Sequence, residues 1–159
     1  MARPIFLDNT VLFYFGLVER ADLLYALWGE KVSTTEAVMR EYQAGVSVAG
    51  VSQDAWEDLP VVQLSDPEQL WIAELPPFLG AGEAACLAAA VHRNGAFASD
   101  DRKARNVARS FDLPVIGTVG ILLRCIEAGL LTIAAAQELL DKMIAAGYRS
   151  PIQDLIEIL

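Results

Sequence analysis

The sequence predicts an α/β fold in which about five short strands form a parallel sheet sandwiched between helices. Three observations carry that expectation. Short apolar runs alternate with helical segments along the whole chain, and parallel neighbours need such helical crossovers. The runs are continuously apolar rather than alternating, as strands covered on both faces are. With 159 residues, of which 54% are hydrophobic, the chain is long enough for one sizeable core and short for two, so residues 1–159 are expected to form one domain.

Taken in order, "PIFL" (Pro4 to Leu7) is the first strand and ends at Asp8. "NTVLFYFGLVERADLLYALWG" continues as helix, broken into two near Gly16. "KVS" is a minimal second strand. "STTEAVMREYQAG" is a helix with Ser33 and Glu36 as a capping box and Gly45 as its stop. The stretch 46–58 fits a short helix around Trp56, and "LPVVQL" a third strand. Pro67 opens a helix that runs toward the Pro76-Pro77 break. "LGAGEAACLAAAVHRNG" has a glycine start, an alanine-rich middle and a glycine stop, and reads as helix. "AFAS" is a fourth strand ending at Ser99, followed by a helix from Asp100 to Ser110. "LPVIG" is a fifth strand, and Thr118 caps the helix "TVGILLRCIEAG". "TIAAAQELLDKMIAAG" is a further helix, and in "SPIQDLIEIL" Ser150 is set to cap a last one with Pro151 in its first turn.

A formal net charge of −9 excludes a broad basic footprint for nucleic acid, so any such contact must be local or mediated by a cation. The charge is uneven: residues 1–80 hold 4 basic and 12 acidic side chains, residues 81–159 hold 8 and 9. An anion would therefore approach the second half, where Arg102, Lys103, Arg105 and Arg109 cluster; a plain solvated helix face explains the same run. Cys86 and Cys125 lie in apolar helical surroundings without a CxxC or Cys/His pattern and read as buried thiols of a reducing compartment. The single histidine, His92, excludes a multi-histidine zinc site. Asp8 interrupts the N-terminal apolar run, no small-x-small cleavage site follows, and no apolar stretch reaches the ~20 residues that span a bilayer. A cytoplasmic protein without membrane contact is expected.

In open parallel sheets ligands bind beyond the carboxyl ends of the strands, where the strand order reverses. Asp8 follows the first strand, Asp100 and Asp101 follow the fourth, Glu83 starts the helix after "LGAG", and Glu41 lies on the helix after the second strand. Acids in a first helical turn also complement the helix dipole, for ~0.3–1 kcal/mol each, which is the competing account of Glu83, Asp100 and Asp101. Glu41 is too deep in its helix for that and, beside Val38 and Tyr42 on a core-facing side, asks for a cation. Converging carboxylates repel unless a cation lies between them, and an all-oxygen donor set favours Mg2+ or Mn2+ over zinc. Such an ion would serve hydrolysis of a phosphodiester by an activated water, with the arginines of "RKARNVAR" meeting flanking phosphates. A phosphoacceptor receiver domain, also α/β with an acidic pocket, expects a lysine after the last strand, and "LPVIGT" is followed by none.

The ordered segments "IFLDNTVL", "TTEAVMREY", "LGAGEAACLAAA", "FASDDRKARNVARSFDLPVIGTVGILLRCIEAGLL" and the "AGYRSP" tail resemble the PIN domain family, in particular small prokaryotic members related to VapC-type toxins. The resemblance is strongest from Gly82 to Leu131. It implies a metal-dependent endoribonuclease, often a homodimer and often held inactive by a cognate antitoxin. Asp8 matches the family's first aspartate, Glu41 its helix glutamate, Glu83 its third acid and Asp101 the acid after the fourth strand, with Asp100 as near neighbour. Asn9-Thr10 inverts the family's Thr-Asn order. Thr118, Arg102, Lys103 and Arg105 are the residues expected at the RNA phosphates. A different class of protein, a catalytically weak domain that binds a basic protein partner through its acidic surface, fits the same composition.

Overall fold

The computed structural model describes residues 3–49, 51 and 53–159. Five strands, all parallel, form one sheet: β1 (Ile5–Leu7), β2 (Val32–Thr35), β3 (Val61–Val62), β4 (Ala96–Ala98) and β5 (Val115–Ile116), in the spatial order β3-β2-β1-β4-β5. Eight α-helices flank them among the described residues: α1 (Asn9–Leu17), α2 (Asp22–Trp28), α3 (Glu36–Ala49), α4 (Asp66–Trp71), α5 (Ala81–His92), α6 (Arg102–Ser110), α7 (Thr118–Glu127) and α8 (Ile133–Ala145). The expected α/β architecture is present. The chain winds outward from β1 to β3, then returns across the sheet to place β4 on the other side of β1. The strand order thus reverses between β1 and β4, where Ile5, Phe6 and Leu7 stand opposite Ala96, Phe97 and Ala98.

Every residue of β1 and β2 is buried, so both faces of the sheet centre are covered. α5 packs against β1, β2 and β4 and carries Cys86 to Ala90 without exposure. Its run of alanines is what lets a helix lie so close to the strands. α3 packs on α5 and α1, while α2 packs on α7 and α7 on α8. Cys86 and Cys125 are buried free thiols, as expected, and His92 is exposed, its ring edge-on to Trp71 at 5.5 Å and its Nδ1 2.9 Å from the Ala88 carbonyl.

Local caps differ from expectation in four places. Ser33 does not cap α3, because "VSTT" stays extended as β2 and pairs Ser33 with Phe6; Thr35 Oγ1 accepts from Val38 N instead (3.3 Å), and Glu36 is simply exposed. Gly45 does not stop α3, which runs on to Ala49. Of the stretch 46–58, residues 50 and 52 lie outside the described residues; the remainder gives the end of α3 and a 3-10 turn, Gln53–Trp56, tied to α1 by Trp56 Nε1 donating to the Leu12 carbonyl (2.8 Å). Thr118 is the first helical residue of α7 rather than its cap, a position held by Gly117. Ser150 opens no helix: its hydroxyl closes a local turn with Ile152, and only a 3-10 turn at Leu155–Ile158 follows.

Candidate active site

Asp8 leaves the carboxyl end of β1 at the reversal of strand order. Its N–H donates to the Ala98 carbonyl (2.9 Å), which fixes it between β1 and β4. The side chain is 4% exposed. Its Oδ1 accepts from Asn9 N (2.8 Å), capping α1, and Oδ2 accepts from Ser99 Oγ (2.7 Å). Burial pushes this carboxyl up to about 6; the bonds from Ser99 and Asn9 pull it back, and the charges of Glu41 and Asp101 push it further up.

Ser99 stands out in the sequence only as the end of a strand. Fully buried just past β4, it donates to Asp8 and accepts from Asp101 N (3.1 Å), so one hydroxyl ties two acids together. Asp101 caps α6 through Oδ1, which accepts from Ala104 N (2.8 Å). A small hydroxyl residue two positions before the second of two aspartates was the available signal.

The other two acids meet at the start of α5. Glu41 reaches across from α3, and its Oε1 accepts from Gly82 N (2.9 Å). It therefore has a partner, the backbone amide of another helix, and the expectation that it depends on a cation for one is corrected. The approach requires glycine: a Cβ at residue 82 would stand 2.8 and 2.9 Å from the two Glu41 oxygens. Glu83 bends back to accept from Gly80 N (2.9 Å). Half-buried, it is pushed up to about 7, first by desolvation and then by the charges of Asp8, Asp101 and Glu41, against the opposing pull of the Gly80 amide. Four acids from four separate segments thus feel one another's charge at one edge of the sheet.

Asp100 does not join them. Its Oδ1 accepts from Thr118 N (2.8 Å) and Tyr148 Oη (2.9 Å), and its Oδ2 from Thr118 Oγ1 (2.6 Å). The two neighbouring aspartates therefore face different surroundings. Thr118 is buried with its hydroxyl committed to Asp100. Tyr148, from the "AGYRSP" tail, reaches Asp100 across a separation of 48 positions that no local sequence pattern spans. The basic cluster is split as well: Arg105 Nη1 donates to the Ser99 carbonyl (3.2 Å), while Lys103 Nζ lies 5.7 Å over the Phe78 ring.

The donor chemistry suits a hard divalent ion, since every candidate ligand is an oxygen. Beside Asp8, the buried Asn9 Oδ1 and Thr10 Oγ1 have no hydrogen-bond partner, two further oxygens open to one. Among the described residues, however, no three acids stand close enough to share an ion as they are, and each also gives an oxygen to a backbone N–H. Ligation asks some of these carboxylates to exchange an amide for the cation.

A family model described as a PIN domain matches residues 4–159. The chain belongs to the PIN domain family. PIN domains are generally nucleases, hydrolases of phosphodiester bonds that use divalent metal ions. A comparison with curated proteins finds no match. No helix among the described residues of this PIN domain is long and apolar enough to cross a membrane.

Proposed function

We propose that this PIN domain is an endoribonuclease dependent on Mg2+ or Mn2+ and the toxin member of a toxin–antitoxin pair. The observation that carries the proposal is the gathering of Asp8, Glu41, Glu83 and Asp101 from four segments at the reversal of strand order, with Asp8 buried and Glu83 pushed up first by burial and then by the charges of the other three. These four would hold the cation, with Asp100 kept by Thr118 and Tyr148 beside them. When bound, the ion would offset the repulsion among the carboxylates and the charge that develops on the phosphodiester oxygens.

The chain's own residues do the rest. Ser99 and the Asn9 amide hold the Asp8 carboxylate in one orientation. Glu83, its carboxyl pushed up to about 7 chiefly by burial, can hold a proton at its carboxyl oxygen near neutral pH. Arg102 and Arg105 are assigned to the RNA phosphates, and Thr118, whose hydroxyl is given to Asp100, to holding that aspartate beside the acids; Lys103 lies over the Phe78 ring instead. Hydrolysis then consists of water adding to phosphorus and departure of the ribose oxygen, which takes up a proton.

A homodimer, a cognate basic antitoxin and a cytoplasmic site of action belong to the same proposal. A second reading, a catalytically weak domain that binds a basic protein partner, is favoured by the net charge of −9 and its concentration in residues 1–80. Cleavage of total RNA by the purified protein with Mn2+, with EDTA and with Asp8→Asn separates the two. Discrete cleavage that needs both the ion and Asp8 is expected; no cleavage by folded protein that still binds Mn2+ would favour the second.

A further inference from the structure

Behind the acidic edge lies a cavity of about 560 Å³ lined by Arg102, Arg105, Arg109 and Arg149. The first three recur at i, i+3 and i+7 on one face of α6, and the fourth comes from the chain after α8. Four guanidiniums converging in a chain of net charge −9 call for a counter-ion, yet none of them is in an ion pair among the described residues, whose salt bridges are Arg20–Asp22 and Arg93–Glu68. Their protein partners are neutral: the Ser99 carbonyl for Arg105 and Asn106 Oδ1 for Arg109 (3.2 Å). The acid in the lining, Asp100, has its carboxylate committed to Thr118 and Tyr148.

The cavity is built. Tyr148 is 6% exposed, hydrogen-bonded to Asp100 and packed on Tyr14 at 5.0 Å, and this anchorage carries Arg149 into the lining. A Cβ at Gly117 would overlap the Arg105 guanidinium and lie 3.0 Å from Asp100 Oδ1, so the loop after β5 is shaped around that arginine. Guanidinium forks match phosphate oxygens in pairs, and the remaining wall, which includes Ile116 and Val119, is apolar enough for a sugar or base edge.

The placement names the anion. Ser99 donates to Asp8 on one side and accepts from Arg105 on the other, and Asp100 lines the cavity while its neighbour Asp101 belongs to the acid cluster. One strand can therefore occupy both. We propose that the arginine cavity is a phosphate-binding subsite for the substrate strand, gripping a phosphodiester beside the one cleaved and so setting which linkage reaches Asp8. This rests on the nucleic-acid reading above. Lys103, out over Phe78, lies outside the cavity.

The test is binding of a fluorescein-labelled twelve-nucleotide single-stranded RNA by fluorescence anisotropy in EDTA, over a series of salt concentrations. Arg109→Gln/Arg149→Gln, both at exposed positions, is expected to weaken binding and to reduce the slope of log K against log salt by about 1.4, at roughly 0.7 for each single-strand phosphate left without its arginine. Arg149→Gln alone, outside any helix, is expected to reduce it by about 0.7. Lys103→Gln removes the same charge from α6 outside the cavity and is expected to leave the slope unchanged. An unchanged slope in the arginine variants, or an equal loss from Lys103→Gln, would overturn the subsite. Binding in EDTA needs no cleavage: a protein that binds through the arginines and never cuts refutes the nuclease and keeps the cavity, whereas one that cuts with an unchanged slope refutes the cavity alone.

Discussion

Replacing Asp8 by Asn should make the metal-free protein more stable at alkaline pH while abolishing its activity. The folded carboxyl sits at about 6 against an ordinary 3.8, about two units, which at 1.36 kcal/mol per unit is ~3 kcal/mol. Because the folded value lies above the unfolded one, the protonated group favours folding. That contribution is complete below about pH 4 and is lost as pH rises through about 6. Asn carries no charge to desolvate, but its single carbonyl oxygen replaces two acceptors now used by Asn9 N and Ser99 Oγ, a loss of ~1 kcal/mol. The net at pH 8 is ~2 kcal/mol in favour of Asp8→Asn, or ~4–8 °C in melting temperature. At pH 4 the variant should instead be the less stable by ~1 kcal/mol. Thermal unfolding followed by circular dichroism in EDTA at the two pH values reads both signs. If Asp8→Asn were destabilised equally at pH 4 and pH 8, Asp8 would be an ordinary helix cap, and the charge strain attributed to the acidic edge would be absent.

Gly82→Ala adds a methyl 2.8 Å from Glu41 Oε2 and must move that carboxylate off the start of α5. Because the obstacle is the end of a flexible side chain and alanine favours helix by up to ~1 kcal/mol, unfolding should change little while cleavage falls by about tenfold or more; titration with Mn2+ by calorimetry should show weaker binding. Glu68 lies away from the acidic edge, 2% exposed, gripped by both arms of Arg93 at 2.8 Å and by Ser65 N at 2.7 Å, and its carboxyl is held down at about 2. A folded value below the unfolded 4.5 means stability present above about pH 4.5 and lost as pH falls through about 2. The shift corresponds to ~3 kcal/mol, and the part-exposed Arg93 brings this down to ~2 kcal/mol. Glu68→Gln should lose that amount in urea unfolding at pH 7, lose progressively less toward pH 2, and cleave normally per folded molecule.

The strands at the centre of the sheet were legible because burial on both faces leaves a continuous apolar run, and "PIFL" and "AFAS" end beside the residues that matter, Asp8 and Ser99. From there the rule for parallel sheets located the acidic edge without any structure. What escaped was whatever depends on a partner distant in sequence. Ser33 looked like a cap because "STTE" satisfies the local pattern, but pairing with β1 kept it extended. Glu41 looked unpartnered because the Gly82 amide is 41 residues away. Asp100 and Asp101, adjacent in sequence, could not be told apart until Thr118 and Tyr148 claimed the first. Gly45 was misread because a glycine ends a helix only where the chain turns left-handed, and here α3 simply continues.

The reversal of strand order has a consequence for the chain as it is made. β1 emerges first, yet the neighbour that holds Asp8 arrives only with β4 and Ser99, some 90 residues later, and Glu41 finds its amide only when α5 has formed. Translation delivers about 5–20 residues each second, so the nascent chain spends seconds as a half-sheet whose acids are scattered and solvated. The acidic edge of this PIN domain can therefore assemble only after β4 and α6 have left the ribosome.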